Sequence, residues 1–565
     1  MNLPESSAGF AGATWTDCLP YYEALASAPL DAGSVGEWLR QWSRLEELLG
    51  EAASLAMIAY TCDTSDPVKE AAHLRFSSEV IPKAEEQSVR IARRLVELGV
   101  VPEGLETTVA RFKTSIDIFR EVNVPLFAEL EELGSRYHRL TGGMMAEWEG
   151  GLRPLPQLAP FLQDSDRRVR ERAFRATVAP YVAARAELAE LFTLMVERRQ
   201  AVARNANFSD YLTFSFASKH RFDYAPGDCT RFHDAVESVA VPAHSRALAA
   251  RRDRLGVEEL RPWDVAVNLY RDQPLRPFDG GDQLARGVSR IFDRVDPLLG
   301  SQFHTMIDEK LLDLDSRPGK APGGYCDTLH VRGRPFIFMN ASGVQEDVTT
   351  MLHEAGHAFH AFAAFRQPLV WQRHPGAEAA ELASMSMELL AGPELGPPAG
   401  MLDERDAAVA RLEHLEDVLA SLTHIAAVDS FQNWIYTSEK GLDPDARDAA
   451  WLRIRARFEQ GVDWSGLTTE RIARWYRQPH IFLYPFYYIE YGIAQLGALQ
   501  VWRNQRRDGP AALDAYRRFL ALGATRPLPE LYRAAGATLI FDPVAMRPLV
   551  DMVEEEMDRL RAVAG

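Results

Sequence analysis

The chain has 565 residues, 47% of them hydrophobic, and its 63 basic and 80 acidic side chains give a formal charge of −17. That length and apolar content are enough to bury a sizeable core, in roughly two to four domains. The acidic balance, without a dense Lys/Arg run, excludes nucleic acid as an expected partner, because phosphate binding calls for a basic face. No run of about 18 apolar residues occurs, so no membrane-spanning helix is expected either.

In chain order, the opening Met1-Asn2-Leu3-Pro4-Glu5 has neither a basic region nor an apolar stretch of the kind that directs secretion, which makes cytoplasmic residence the expectation. Without a secretory signal the glycosylation patterns at Asn207-Phe208-Ser209 and Asn340-Ala341-Ser342 carry no meaning. Apolar residues at three- and four-residue spacing predict helices over 39–57, 68–98, 105–133, 164–202 and 407–434. Pro- and Gly-rich breaks at 150–154, 274–281 and 317–324 mark loops. The last introduces the clearest strand candidate, 334–340, with a weaker partner over 325–331. Cys18, Cys62, Cys229 and Cys326 lie far apart and form no C-x-x-C pair, so neither a disulfide scaffold nor a thiolate metal site is expected. The fold class is mainly α with a small sheet, and two regions are expected, an N-terminal helical region over 1–190 and a catalytic helical region over 191–565.

The chemistry concentrates just after the strands. His353-Glu354-Ala355-Gly356-His357 puts two imidazoles on one face of a helix, where one metal ion can take both and the intervening Glu354 points at the ion's open position. Ser342-Gly343-Val344-Gln345 has capping-box spacing upstream, and Val348, Met351, Leu352, Ala355, Phe359 and Phe362 follow at helical intervals, so the motif is expected inside a buried helix. Such a site needs a third protein ligand. A second helical pattern from about Gly376 to Gly392 offers Glu378, Glu381 and Glu388 on one face, and spacing alone does not choose among the three.

The run from His353 to His360, followed after 20 residues by Glu381-Leu382-Ala383-Ser384-Met385 and then Glu388, resembles the signature of the oligoendopeptidase F and thimet oligopeptidase family of zinc metallopeptidases. The resemblance implies one Zn²⁺ held by His353, His357 and Glu381, with Glu388 supporting a ligand. A later block, His480-Ile481-Phe482-Leu483-Tyr484-Pro485-Phe486-Tyr487-Tyr488-Ile489-Glu490-Tyr491, is similar to the family's His/Tyr segment, which implies that His480, Tyr484 and Tyr491 line the site opposite the metal. The stretch 335–340 precedes the metal helix as the family's substrate-binding edge strand does, and the segments 522–524 and 535–536 resemble its closing segment. The segment 330–334 matches no family pattern, which leaves the contacts of the substrate strand undefined. The likeness covers roughly 190–545. It implies a two-lobed, neurolysin-like architecture whose halves enclose a deep channel with zinc at its floor.

The expected activity is internal cleavage of short unstructured peptides. Glu354 is expected to act as the general base, and the resemblance implies that Tyr491, with Tyr484 or His480, is the oxyanion donor. His360, one turn beyond His357, is placed to touch substrate or to support a metal ligand, and equally well to pack against its own helix. Two alternatives share some features: a zinc metallocarboxypeptidase of related helical fold, which also has H-E-x-x-H and a downstream glutamate, and a non-catalytic peptide-binding scaffold. The block from His480 to Tyr491 speaks for the endopeptidase. Cleavage preference, physiological substrate and oligomeric state leave no mark in the sequence.

Overall fold

Helices dominate the residues described in the computed structural model, 2–271 and 275–565; Pro274, at the start of one expected break, lies outside them. The fold is the expected mainly α class with small sheets. The chain divides into two compact units and crosses between them five times: Met1–Asp117, Leu275–Arg411 and Ala494–Leu539 form one, and Ile118–Pro274, Leu412–Ile493 and Ile540–Gly565 form the other.

In the first unit the helix Val35–Cys62 buries Trp38, Leu39, Trp42, Leu45, Leu48, Leu49 and Ala52 along one stripe, which is the period that drives an amphipathic helix into a core. Trp42 meets Phe112 and Trp371, at ring-centroid separations of 5.1 and 4.5 Å. The core of the N-terminal helices therefore grips the connection on which Trp371 sits. The helix expected over 68–98 runs as Pro67–Arg75 and Ile81–Leu98, joined through a π-helical turn at Phe76–Val80.

The small sheet of this unit has the order β3-β5-β4, where β3 is Leu312–Asp315, β4 is Tyr325–Leu329 and β5 is Arg334–Ala341. β5 runs parallel to β3 and antiparallel to β4, with Cys326 opposite Ile337. The strand expected at the edge is thus the central one. Its residues Ile337, Phe338 and Met339 are all buried, the burial of a strand covered on both faces, and the edge positions fall to β3 and β4. Glu51 fixes the turn after β4, accepting the backbone N–H groups of Val331 and Arg332 at 2.6 and 3.0 Å.

In the second unit the expected helix over 164–202 is two helices, Arg167–Ala183 and Arg185–Asn205. The pattern over 105–133, along which the chain passes from the first unit to the second after Asp117, also breaks, between Glu106–Ile118 and Val124–Gly142, where Arg120 is extended and Pro125 enters the next first turn. A hairpin of β1 (Met145–Trp148) and β2 (Gly151–Pro154) turns through Glu149 and Gly150, both at positive φ. Phe192, Trp475 and Phe482 pack ring to ring under the segment that carries the aromatic block.

Candidate metal centre

The helix Gln345–Ala364 carries the H-E-x-x-H motif and Ala377–Ala391 the glutamates. The first does not start on the expected box of Ser342 and Gln345. Its N-cap is Val344, and Asp347 accepts the backbone N–H groups of Ser342, Gly343 and Val344 at 2.8–3.0 Å. A carboxylate in the first turn satisfies donors that would otherwise be orphaned and also meets the positive end of the helix dipole.

The two helices approach at a glycine. A Cβ on Gly356 would stand 2.6 Å from Ser384 Cα and 2.8 Å from Ala383 O, which are backbone atoms that cannot swing aside. Tyr516 and Tyr532 hold the second helix from behind, donating to the carbonyls of Ala383 and Glu378 at 2.8 and 3.0 Å. Gly523, at φ +52, lets the backbone pass against Gln372 between the two helices, and Ala524 N–H donates to Gln372 O at 2.7 Å.

This packing brings one ligand atom each from His353, His357 and Glu381 to within 4.8 Å of one another. Glu381 Oε2 is 3.3 Å from His353 Nε2 and 3.7 Å from His357 Nε2. Bonds of about 2.0–2.2 Å in a tetrahedral zinc site place ligand atoms at about that mutual spacing. Glu388 meets the other nitrogen of His353, Nδ1, at 2.6 Å, which leaves Nε2 facing the common point. Ser384 Oγ donates to Glu381 Oε2 at 3.0 Å and so orients that carboxylate. Glu378 is buried one turn earlier and is not in the group.

Electrostatics at this point favour a cation. Burial works against a charge on His353, but its hydrogen bonds to Glu381 and Glu388 outweigh it and raise its pKa well above the usual value. Burial would raise Glu381, yet His353 and His357 hold it below the ordinary glutamate range. Two carboxylates around one protonated imidazole leave excess negative charge in a buried place, which is costly without a partner. Glu354 is pushed up to about 7, mainly by burial and further by Glu381 and Glu388, against the pull of His353. The N–H of Cys326 on β4 also bonds this carboxyl. His360 is buried against Phe519, ring centroids 5.3 Å apart, with its pKa lowered to about 3 by burial and by His357.

The aromatic block lies in the second unit. His480 is the hub of a ring cluster, its centroid 5.1 Å from Tyr488, 5.8 Å from Tyr484, 5.9 Å from Tyr487 and 6.3 Å from Tyr491. Tyr484 is 57% exposed, whereas Tyr488 donates to Gln478 Oε1 at 3.1 Å.

Sequence reasoning passed over Gly356 and Ser384 as working parts, although both were visible. A glycine inside a helical pattern signals close approach. A serine three residues after a glutamate on a helix signals a side-chain pair. Tyr516, Tyr532 and Cys326 left no local signal, because their roles arise only from tertiary packing.

A mainly helical chain with this helix pair fits one class of protein, and the chain belongs to Peptidase family M3, whose sequence model matches residues 161–543. It is 22% identical over 413 residues to Oligopeptidase PepF of Bacillus subtilis (strain 168), a match covering 71% of this chain and 58% of that protein. To the Oligoendopeptidase F homolog of Borreliella burgdorferi it is 20% identical over 381 residues, 66% of this chain and 62% of the other. The matches therefore span about three fifths of the length of these relatives. The structure of PZ peptidase A with inhibitor 2 superposes with a TM-score of 0.87 at 27% identity, over 99% of this chain and 98% of that one. No helix among the described residues is long and apolar enough to cross a membrane.

Proposed function

We propose that this chain is a zinc-dependent oligoendopeptidase that hydrolyses internal bonds of short unstructured peptides. The observation that carries this reading is the convergence of His353, His357 and Glu381, with Glu388 on the far nitrogen of His353, in a member of Peptidase family M3. Two imidazole nitrogens and one carboxylate are a donor set suited to zinc. An ion held there supplies a Lewis acid at neutral pH.

The chain's own residues divide the remaining work. Glu354, with a carboxyl poised to about 7, accepts a proton from the attacking water and returns it to the leaving amine. Glu388 keeps His353 in the tautomer that presents Nε2, and Ser384 keeps Glu381 turned toward the histidines. For the oxyanion the reading assigns the Tyr491 phenol, assisted by Tyr484 or His480; the order and spacing of that block and its shared ring cluster support the assignment. An extended peptide would add to the sheet along β4, the edge strand whose Cys326 N–H already reaches Glu354. Pairing through backbone groups accepts many side chains, which fits a peptidase of loose sequence preference. Cytoplasmic residence accords with that role.

An end-blocked, internally quenched nonapeptide tests the reading. Wild type should cut it between internal residues, while Glu354→Gln should lose about two to four orders of magnitude in turnover and keep its zinc. Release of single C-terminal residues from unblocked peptides, with the blocked peptide left intact, would favour a carboxypeptidase instead.

A further inference from the structure

We propose that Arg221 is a positioning residue for the aromatic block, an inference that rests on the catalytic role given above to His480 and Tyr491. The block is interrupted by a turn that its sequence does not favour. Phe486 sits at φ +63, in the left-handed region, which a bulky side chain rarely adopts because its Cβ crowds the backbone. The turn persists because both of its backbone groups are held. Its N–H donates to Gln432 Oε1 at 3.2 Å, and its carbonyl accepts from Arg221 Nη2 at 2.5 Å.

The same Arg221 nitrogen reaches Glu490 Oε1 at 2.6 Å. Glu490 stands in the first turn of the helix Tyr488–Arg507, so one guanidinium ties the carbonyl before that helix to a carboxylate just inside it. That link sets the angle at which the helix leaves the turn, and hence where Tyr487, Tyr488 and Tyr491 point around His480. Lys219 adds a second cation, 3.4 Å from Glu490 Oε1 and 5.1 Å from the Tyr487 ring centroid. At the other end Arg199 donates to the carbonyl of Phe482 and, at 2.9 Å, to Tyr436 Oη.

Arg221 is itself prepared for this task. It follows His220, another non-glycine residue at positive φ, and its guanidinium lies 4.8 Å from the Phe216 ring centroid and 5.6 Å from that of Tyr224. Its side chain is 1% exposed, as is fitting for a strut and useless for a surface charge. Two strained turns joined by one buried ion pair, beside a cluster of four tyrosines and a histidine, are where strain is expected to serve function.

The test uses the zinc-loaded enzyme and the end-blocked nonapeptide. Arg221→Ala should lower kcat by about 10²-fold, the scale of a displacement of about 1 Å in a catalytic group, with KM within about threefold and zinc content unchanged. Millimolar guanidinium should restore part of that kcat by entering the space the side chain left, and should do nothing for Tyr491→Phe. If Arg221→Ala does not fold, Arg221→Lys keeps a cation but not the forked geometry, and it should show the same fall in kcat at constant KM. A kcat within about threefold of wild type, or a loss that follows a fall in thermal stability and is not rescued, would overturn the proposal. Tyr491→Phe and His480→Ala separate the two levels of inference. If both retain full turnover, the block has no catalytic part and the positioning role falls with it; if they lose turnover while Arg221→Ala keeps it, only the positioning role falls.

Discussion

Three glutamates lie on the second site helix, and each makes a different prediction for metal binding. Glu381 shares its carboxylate with both histidines, so Glu381→Ala should leave the purified protein largely zinc-free. Glu388 acts through His353 Nδ1, and Glu388→Ala should weaken zinc by about 10- to 100-fold. Glu378 is outside the ligand group, and Glu378→Ala should retain metal. Metal analysis of the three variants checks this, and a depleted Glu378→Ala beside a full Glu381→Ala would reverse the assignment. At this scale the sequence was most legible for His353, Glu354 and His357, because their spacing is itself the geometry: four residues on a helix is one turn. The choice among the glutamates was not legible from spacing, which places all three on one face. The proposed choice of Glu381 rests on the resemblance, and it accords with the approach of the two helices, which brings Glu381 and not Glu378 into the candidate group with the histidines.

That approach depends on Gly356. Because a methyl there would press on the backbone of Ala383 and Ser384, Gly356→Ala should cost about 1–3 kcal/mol of stability and weaken zinc binding by moving Glu381 away from the histidines. Urea midpoints together with a zinc titration measure both effects. A variant as stable and as tight as wild type would mean that the glycine sets no distance. Most elements near the site were legible, since a 3.6-residue period marks the helices and a short continuous apolar run after a Pro- and Gly-rich break marks β5. Sheet order was not. The pattern of 334–340 is that of a buried strand, but only the parallel partner β3, more than 20 residues upstream, makes it central rather than an edge. The helix start was misplaced for a related reason: Ser342 has the right residue type for a cap, while Asp347 supplies the bonds from inside the helix.

Across the whole molecule, buried histidines give stability a definite pH dependence. His424 accepts from Arg455 Nη1 at 3.2 Å through Nδ1, and burial, with Arg455 and Arg474 nearby, lowers its pKa from 6.5 to about 3. His330 is likewise lowered to about 3, by burial and by His374 and Arg373. The unfolded chain then binds protons that the folded chain refuses. The contribution is complete above about 6.5 and is lost as pH falls toward 3, at about 1.4 kcal/mol per pH unit for each histidine. Urea midpoints between pH 7 and 4 should show this slope, and His424→Gln should flatten it by about one proton; an unchanged slope would contradict the account. The division into units was the least legible feature. A chain that crosses between two units five times places residues 1–117 in the same unit as the metal helices, and no composition shift marks such a crossing.

Metal dependence of internal cleavage tests the central claim most directly. The rate on the end-blocked nonapeptide would be measured for the enzyme as purified, after chelation, and after return of zinc one equivalent at a time. The account predicts that chelation abolishes internal cleavage and that one equivalent of zinc restores it, with no further gain from a second. Internal cleavage that survives complete removal of metal, or a blocked peptide left uncut by the fully zinc-loaded enzyme, would contradict it.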